Sequence, residues 1–228
     1  MFAEVAGPGI YDRLGTSVAV GLSGNEPGPI TDVVPESLRS ATPWRKLEFL
    51  AGRWCAAGAL SRAGIQACEL GRDAEGRPLW PAGAVGSITH NRAYAAALVA
   101  PCARWESVGI DSERILSASA ADEVRDIVVT PEEWPLLDPL PLSREEFVTL
   151  IFSAKESLYK CLNPLVGVFF DFHSARLTAI DPDRGTFQLQ LLTRLSERFG
   201  EDFRLSGAFE ITGGLVHTAL GLAAVSRI

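Results

Sequence analysis

Phe152-Ser153-Ala154-Lys155-Glu156-Ser157-Leu158-Tyr159-Lys160 holds two of the three lysines in a chain of 21 basic residues, the other 18 being arginines. The stretch sits in a helix-like run that opens at Ser143 and closes before Asn163-Pro164. Ser143 and Glu146 form an S-x-x-E capping box, in which each side chain satisfies a free backbone N–H at the helix start. Phe147, Leu150, Ile151, Ala154, Leu158 and Cys161 recur at three- and four-residue steps and make one apolar stripe. Glu156 and Lys160 stand four residues apart and share a face. Taken alone, that pair reads as an ordinary solvated ion pair of about 0.3–0.5 kcal/mol.

A second stretch changes that reading. Val108-Gly109-Ile110-Asp111-Ser112-Glu113 lies within a predicted strand from Ser107 to Glu113, with Val108 and Ile110 on one face. The two-residue period puts Asp111 and Glu113 together on the other face, roughly 6–7 Å apart. Carboxylates that close raise one another's pKa unless a cation lies between them. Glu156, brought in from the helix about forty residues away, would complete an all-oxygen site. Such a site suits a hard divalent ion, which keeps places for water and substrate phosphate.

G-I-D-S-E followed at this distance by F-S-A-K-E-S-L-Y-K resembles the two signature motifs of the Sfp-type 4′-phosphopantetheinyl transferases. Gly76-Arg77-Pro78-Leu79-Trp80-Pro81, running into Gly86-Ser87-Ile88-Thr89-His90, is similar to the family's upstream motif. The three occur in family order over residues 76–160, and an Arg-rich helix near 45–53 fits the enterobactin-activating subgroup. Ser112 departs from the family, which more often has an apolar residue there. The resemblance implies an α+β fold of two similar subdomains related by a pseudo-two-fold axis. Each would be a small antiparallel sheet packed with a long helix, and coenzyme A would lie in the cleft between them. Residues 1–108 would form the coenzyme A-binding half, and 109–228 the half with the metal site and the carrier-protein docking surface.

The implied reaction moves 4′-phosphopantetheine from coenzyme A to a serine of an apo acyl or peptidyl carrier protein, releasing adenosine 3′,5′-bisphosphate. Asp111, Glu113 and Glu156 would hold Mg²⁺, with Mn²⁺ as the alternative ion. Glu156 would take the serine proton, and Lys160 would stabilise the departing bisphosphate. Arg45 and Arg53, at steps of four through Phe49, would grip the 3′-phosphate. Arg72, Arg77, Thr89, His90, Asp111, Lys155 and Lys160 would complete the coenzyme A contacts. Two other readings use the same residues: a Mg²⁺-dependent coenzyme A or nucleotide pyrophosphohydrolase, and a non-catalytic coenzyme A- or carrier-binding module.

Composition limits the alternatives. The chain has 228 residues, is 47% apolar and carries a net charge of −7. Its mean hydropathy is +0.14 and its pI about 5.1. These values fit a globular chain with a sizeable core and argue against a general nucleic-acid binder. Cys55, Cys68, Cys102 and Cys161 show no zinc or redox spacing, and three of them read as small core residues. No basic-then-apolar leader and no apolar run of about 18–20 residues stands out, so a cytoplasmic protein without a membrane span is expected. A monomer is expected because one chain carries both halves.

Other segments read as follows. Thr42-Pro43 opens a helix to about Leu60, with Leu47, Leu50, Ala51, Trp54 and Cys55 as its buried stripe. Thr16–Leu22, Val85–Thr89 and Tyr94–Ala100 read as strands. Thr130-Pro131-Glu132-Glu133 reads as a helix start in a Pro-punctuated connector from Ser117 to Leu142. Trp134, Leu136 and Leu137 are among its expected exposed apolar residues, and the family resemblance makes this segment, Ser117 to Leu142, the candidate carrier-docking surface. Four strands follow, the last two joined at Thr212-Gly213-Gly214. His217, before the last strand's apolar run, loosely echoes His90.

Overall fold

A computed structural model describes residues 2–22, 34–66 and 70–225 of the chain. Cys68 and a Gly- and Pro-rich stretch of the sequence, Glu26-Pro27-Gly28-Pro29, lie outside the described residues. In chain order the first elements are β1 (Glu4–Val5), α1 (Gly9–Asp12), β2 (Thr16–Gly21), α2 (Pro43–Arg62), β3 (Ala84–His90) and β4 (Tyr94–Pro101). Then come β5 (Trp105–Arg114), α3 (Ala118–Val128), α4 (Arg144–Val166), β6 (Ala175–Asp181), β7 (Thr186–Leu191), β8 (Arg204–Thr212) and β9 (Leu215–Ala223). The strands form a four-stranded sheet ordered β1-β2-β4-β3 and a five-stranded sheet ordered β5-β9-β8-β7-β6. All neighbours are antiparallel. α2 packs on the first sheet and α4 on the second, giving the α+β arrangement of two similar halves.

The starts of both long helices follow the sequence. The Thr42 hydroxyl accepts the Arg45 amide at 3.3 Å, with Pro43 at the first helical position. The Ser143–Glu146 capping box closes at 2.8 and 3.2 Å. Their later courses differ from expectation. α4 runs through Pro164 to Gly167, whose left-handed φ of 66° ends it. A proline three residues from the end removes only one helical hydrogen bond and matches the helical φ. Along α2 the buried residues are Ala51, Gly52, Cys55, Ala56, Ala59 and Leu60, whereas Leu47 and Leu50 stay half-buried. Small residues win because β4 presents alanines beneath the helix, Ala95 and Ala97 among them, so helix and sheet approach closely.

The connector also differs. It contains α3, an amphipathic helix capped by Ser117. Thr130-Pro131-Glu132-Glu133 starts only a 3₁₀ turn, Pro131–Leu136. Trp134, Leu136 and Leu137, expected to be exposed, are instead half-buried against the core of the second half. Glu133 is fully buried. Its carboxylate accepts the amides of Thr130 (2.7 Å) and Leu177 (2.6 Å) and pairs with the Lys155 ammonium at 2.9 Å. Lys155 also donates to the Val128 carbonyl at 2.7 Å. Expected on phosphate, Lys155 is instead a core residue that ties α4 to the connector. Cys55 and Cys161 are buried, and Cys102 is exposed.

β3 and β5 are the inner edges of the two sheets and lie side by side. They are joined by side chains: the Ile110 amide donates to the Ser87 hydroxyl (3.1 Å) and the Ser112 amide to the Thr89 hydroxyl (3.0 Å). At Gly109 the α4 backbone comes so near that a β-carbon would collide with the Ser157 carbonyl oxygen. This contact sets α4 directly over the Asp111 face of β5.

Two outcomes follow. Lys155→Met strands the Glu133 carboxylate in the core and should cost about 3 kcal/mol in urea unfolding. Coenzyme A affinity should not change, and an equal loss of affinity would return Lys155 to the binding site. Burial also pushes His217 down to about 4, from roughly 6.5 in the unfolded chain. The folded state therefore resists protonation, and this contribution is fully present above pH 6.5 and is lost as pH falls towards 4. Between pH 7 and 5 the loss should be on the order of 1–2 kcal/mol, with a shallower slope in His217→Asn.

Candidate active site

A cleft of about 450 Å³ opens where the two halves meet, between α2, β3, the Arg72–Trp80 loop and the last turns of α4. Arg45, Arg53, Arg72, Arg77, His90 and Lys160 all line it. α2 supplies Arg45, Phe49, Gly52 and Arg53 from one face, as steps of three and four residues require. The Arg53 and Arg72 guanidiniums lie over the Phe49 ring at 5.1 and 5.6 Å from its centre. Arg53 also donates to the Leu70 (2.7 Å) and Gly71 (3.2 Å) carbonyls, which fixes its fork. Burial, then the neighbouring Arg72, lowers the Arg53 pKa, so the cleft concentrates positive charge in partly dry surroundings. Such a place favours a multiply charged anion.

His90 ends β3 on the cleft wall. Its Nε2 lies 3.0 Å from Arg45 Nη1. An arginine can only donate, so Nε2 accepts and the proton belongs on Nδ1. Nδ1 faces the Glu48 carboxylate at 3.7 Å. Burial, then Arg45 and Lys160, push the His90 pKa down to about 4, leaving a neutral ring at physiological pH. Arg77 is held by Asp73 at 2.5 Å and Glu75 at 3.1 Å. It also reaches across the cleft to the Asn163 carbonyl and side-chain oxygens, both at 3.3 Å.

At one end of the cleft Lys160 reaches Asp111, Nζ to Oδ1 at 2.6 Å. Burial works against its charge, but Asp111, Glu156 and Glu113 outweigh it and hold the ammonium above its ordinary pKa. Burial, then Asp111, pushes Glu113 up to about 8, and burial also raises Glu156, with Lys160 opposing. Thr89, expected on the nucleotide, is buried beneath the site and donates to Asp111 Oδ1 at 3.2 Å. Burial is the reason: a hydroxyl that joins β3 to β5 cannot also face the cleft.

Among the described residues, no group of three or more His, Cys, Asp or Glu side chains is arranged to hold a metal ion. The three carboxylates expected to share one do not converge as they stand, and the Lys160 ammonium supplies the nearby cation. Their chemistry nevertheless fits a hard ion, since Asp111 Oδ2 is buried with no hydrogen-bond partner. An unsatisfied carboxylate oxygen beside two further carboxylates is a donor set of the type that oxygen-seeking divalent ions take.

Several contributors escaped the sequence reading. Glu48, three residues after Arg45, was visible as a helical neighbour but lacked a motif. Asn163, Pro164 and Leu165 line the cleft because α4 continues past the expected stop, and Tyr159, inside the predicted helix, lines it beside Lys160. Phe169 and Phe170 pack against Tyr159 with tilted rings, their centres 6.0 and 5.0 Å away.

Both halves of the chain match known proteins. A family model described as the 4′-phosphopantetheinyl transferase N-terminal domain matches residues 34–100, and that of the 4′-phosphopantetheinyl transferase superfamily matches 107–211. The chain is 38% identical over 204 residues to 4′-phosphopantetheinyl transferase Svp of Streptomyces mobaraensis, covering 86% of this chain and 81% of that protein. To 4′-phosphopantetheinyl transferase Npt of Nocardia iowensis it is 35% identical, covering 78% and 83%. To enterobactin synthase component D of Salmonella typhi it is 37% identical, covering 64% and 60%. Matches of that extent across both halves, each carrying its part of the cleft, make the chain a member of the 4′-phosphopantetheinyl transferase superfamily.

Proposed function

We propose that the protein transfers the 4′-phosphopantetheine group of coenzyme A to a serine of an apo carrier protein, with adenosine 3′,5′-bisphosphate as the other product. The observation that carries this reading is the cleft itself. One wall of arginines ends at Lys160, and Lys160 bonds the Asp111 carboxylate, which keeps one buried oxygen free. A cationic cleft ending in carboxylates matches a pyrophosphate donor that must be both gripped and attacked.

Arg45 and Arg53, with Arg72 and Arg77 opposite, bind the phosphates of coenzyme A, and neutral His90 offers them no competing charge. Asp111, Glu113 and Glu156 would hold Mg²⁺, or Mn²⁺ in its place. The ion, when bound, would neutralise the pyrophosphate oxygens and so ease nucleophilic approach. Glu156, its pKa raised by burial, accepts the proton of the carrier serine. The serine oxygen then bonds to the phosphorus bearing pantetheine, and that phosphorus releases its bridging oxygen with the electron pair. Lys160 neutralises the departing bisphosphate. Most of the acceleration comes from charge placement and alignment.

The division into a coenzyme-binding half, 1–108, and a metal- and carrier-binding half, 109–228, belongs to this reading. So do carriers of polyketide, nonribosomal peptide or siderophore synthesis, a monomeric state and a cytoplasmic location. The sequence similarity to an enterobactin synthase component supports the siderophore branch. Among the described residues no helix is long and apolar enough to cross a membrane.

Intact-mass spectrometry of an apo carrier protein incubated with the protein, coenzyme A and Mg²⁺ tests the reaction. One phosphopantetheine mass should be added, and EDTA should abolish the gain. Glu156→Gln should slow it by about two orders of magnitude. Bisphosphate release without carrier modification would instead mark a pyrophosphohydrolase, and coenzyme A binding without turnover a binding module. Arg45→Ala and Arg53→Ala should each raise the KM for coenzyme A by about tenfold or more. They should leave 3′-dephospho-coenzyme A nearly unaffected; equal losses on both substrates would remove these arginines from the 3′-phosphate.

A further inference from the structure

β5 carries its carboxylates on the α4 side, while Val108, Ile110 and Ser112 occupy the opposite face. Val108 and Ile110 enter an apolar cluster with Ile10, Tyr11, Tyr94 and Ala219. Ser112 follows them there fully buried. A hydroxyl in that setting needs partners, and it has two. Ser112 Oγ lies 2.6 Å from the Tyr11 hydroxyl of α1 and 2.8 Å from Nδ1 of His217 on β9. The Tyr11 hydroxyl also donates to the Asp111 carbonyl at 2.7 Å.

The directions of these bonds are determined. The Asp111 carbonyl can only accept, so the single Tyr11 proton is spent there. Burial first of all holds the Tyr11 pKa well above its ordinary value, so that proton stays in place. Tyr11 must then accept from Ser112. With its own proton committed, Ser112 must accept from His217, whose Nδ1 therefore carries the hydrogen. One chain of hydrogen bonds thus runs from β9 to the backbone of the residue that carries the free carboxylate oxygen. Two further bonds complete the grip: the Ser112 amide to the Thr89 hydroxyl at 3.0 Å, and the Asn91 side-chain amide to the Ser112 carbonyl at 2.9 Å.

We propose that Ser112, with Tyr11 and His217 on either side of it, is a positioning residue for the transfer reaction. The His217–Ser112–Tyr11 chain fixes the Asp111 backbone so that its carboxylate meets Thr89 and Lys160 through Oδ1 and keeps Oδ2 for a ligand. This rests on the functional reading above. Three buried polar side chains in an apolar cluster are costly compared with apolar residues of the same shape. Packing alone gives no reason for them, whereas orientation of Asp111 does. The Ser112 hydroxyl is matched by partners on two other elements, Tyr11 of α1 and His217 of β9.

The test compares the parent protein with Tyr11→Phe, Ser112→Ala, His217→Leu and His217→Asn. Steady-state transfer to an apo carrier gives kcat and the KM for coenzyme A, and electron paramagnetic resonance titration with Mn²⁺ alone gives metal affinity without turnover. The first three variants should lose about tenfold in kcat and in Mn²⁺ affinity, with the KM for coenzyme A nearly unchanged. His217→Asn keeps an N–H donor near the Nδ1 position and should recover most of the loss. Tyr11→Phe removes one oxygen and keeps the ring, so it reports on the bond even if Ser112→Ala fails to fold. Tyr11→Phe that folds with parental kcat and Mn²⁺ affinity would overturn the proposal, whatever its thermal midpoint. So would a parent protein that takes up no Mn²⁺. A parent that binds Mn²⁺ but modifies no carrier would sink the functional reading alone, and the titration of the variants would still decide this one.

Discussion

The close approach of α4 to β5 at Gly109 is the constraint on which the site depends. Only a residue without a β-carbon lets the Ser157 carbonyl sit against the strand. With helix and strand touching there, Asp111, two residues along β5, comes under Lys160, three residues along α4. Ser153 and Ser157 secure the same helix to β9, both through the Thr218 hydroxyl, at 2.9 and 2.7 Å. A larger residue at 109 would push the helix outward and part Lys160 from Asp111. The cleft would keep its arginines and lose its reactive end.

The two lysines of one motif illustrate how far geometry divides neighbours. At 3.6 residues per turn, positions five apart point about 140° away from each other. Lys160 therefore faces the cleft, and Lys155 turns into the core of the second half. There it meets Glu133, which is also spent on two backbone amides. One motif thus serves two purposes, the charge balance of the site and the anchoring of the connector. The helical offset was available from sequence, but nothing local indicated that Glu133, 22 residues earlier, would be the partner.

The sequence is legible where a short-range cause acts alone. The Ser143–Glu146 box, the Thr42-Pro43 start and the turn at Gly213-Gly214 depend on neighbours in the chain, and each formed. The alternation along β5 placed Asp111 and Glu113 correctly because a strand has only two faces. Failures came where tertiary contacts decide. Pro164 looked like a stop, yet the last turn of α4 is held by Gly167 and by Asn163, whose side chain donates to the Val168 carbonyl. Trp134 and Leu137 read as exposed in a proline-rich connector, but the second core half-covers them. Thr89 carried a family expectation of ligand contact, and the neighbouring β5 claimed its hydroxyl. Ser112 stands out in the sequence as a polar residue following apolar Val108 and Ile110 on its face, but its partners lie about a hundred residues away in either direction.

The seam between β3 and β5 has a consequence for how the molecule meets other chains. Two sheet edges facing each other would ordinarily zip together into one sheet and close the cleft. Here the Ile110 and Ser112 amides are already occupied by the Ser87 and Thr89 hydroxyls, so the strands lie alongside without merging. The same groups shield both inner edges from any foreign strand. Of the outer edges, β1 is only two residues long. β6 is interrupted by a bulge between Leu177 and Ala179, and its Leu177 amide is taken by Glu133. Among the described residues, the Ile110, Ser112 and Leu177 amides are thus closed to an intruding strand, and a protein whose task is to receive other proteins is at these points guarded against receiving them by sheet extension.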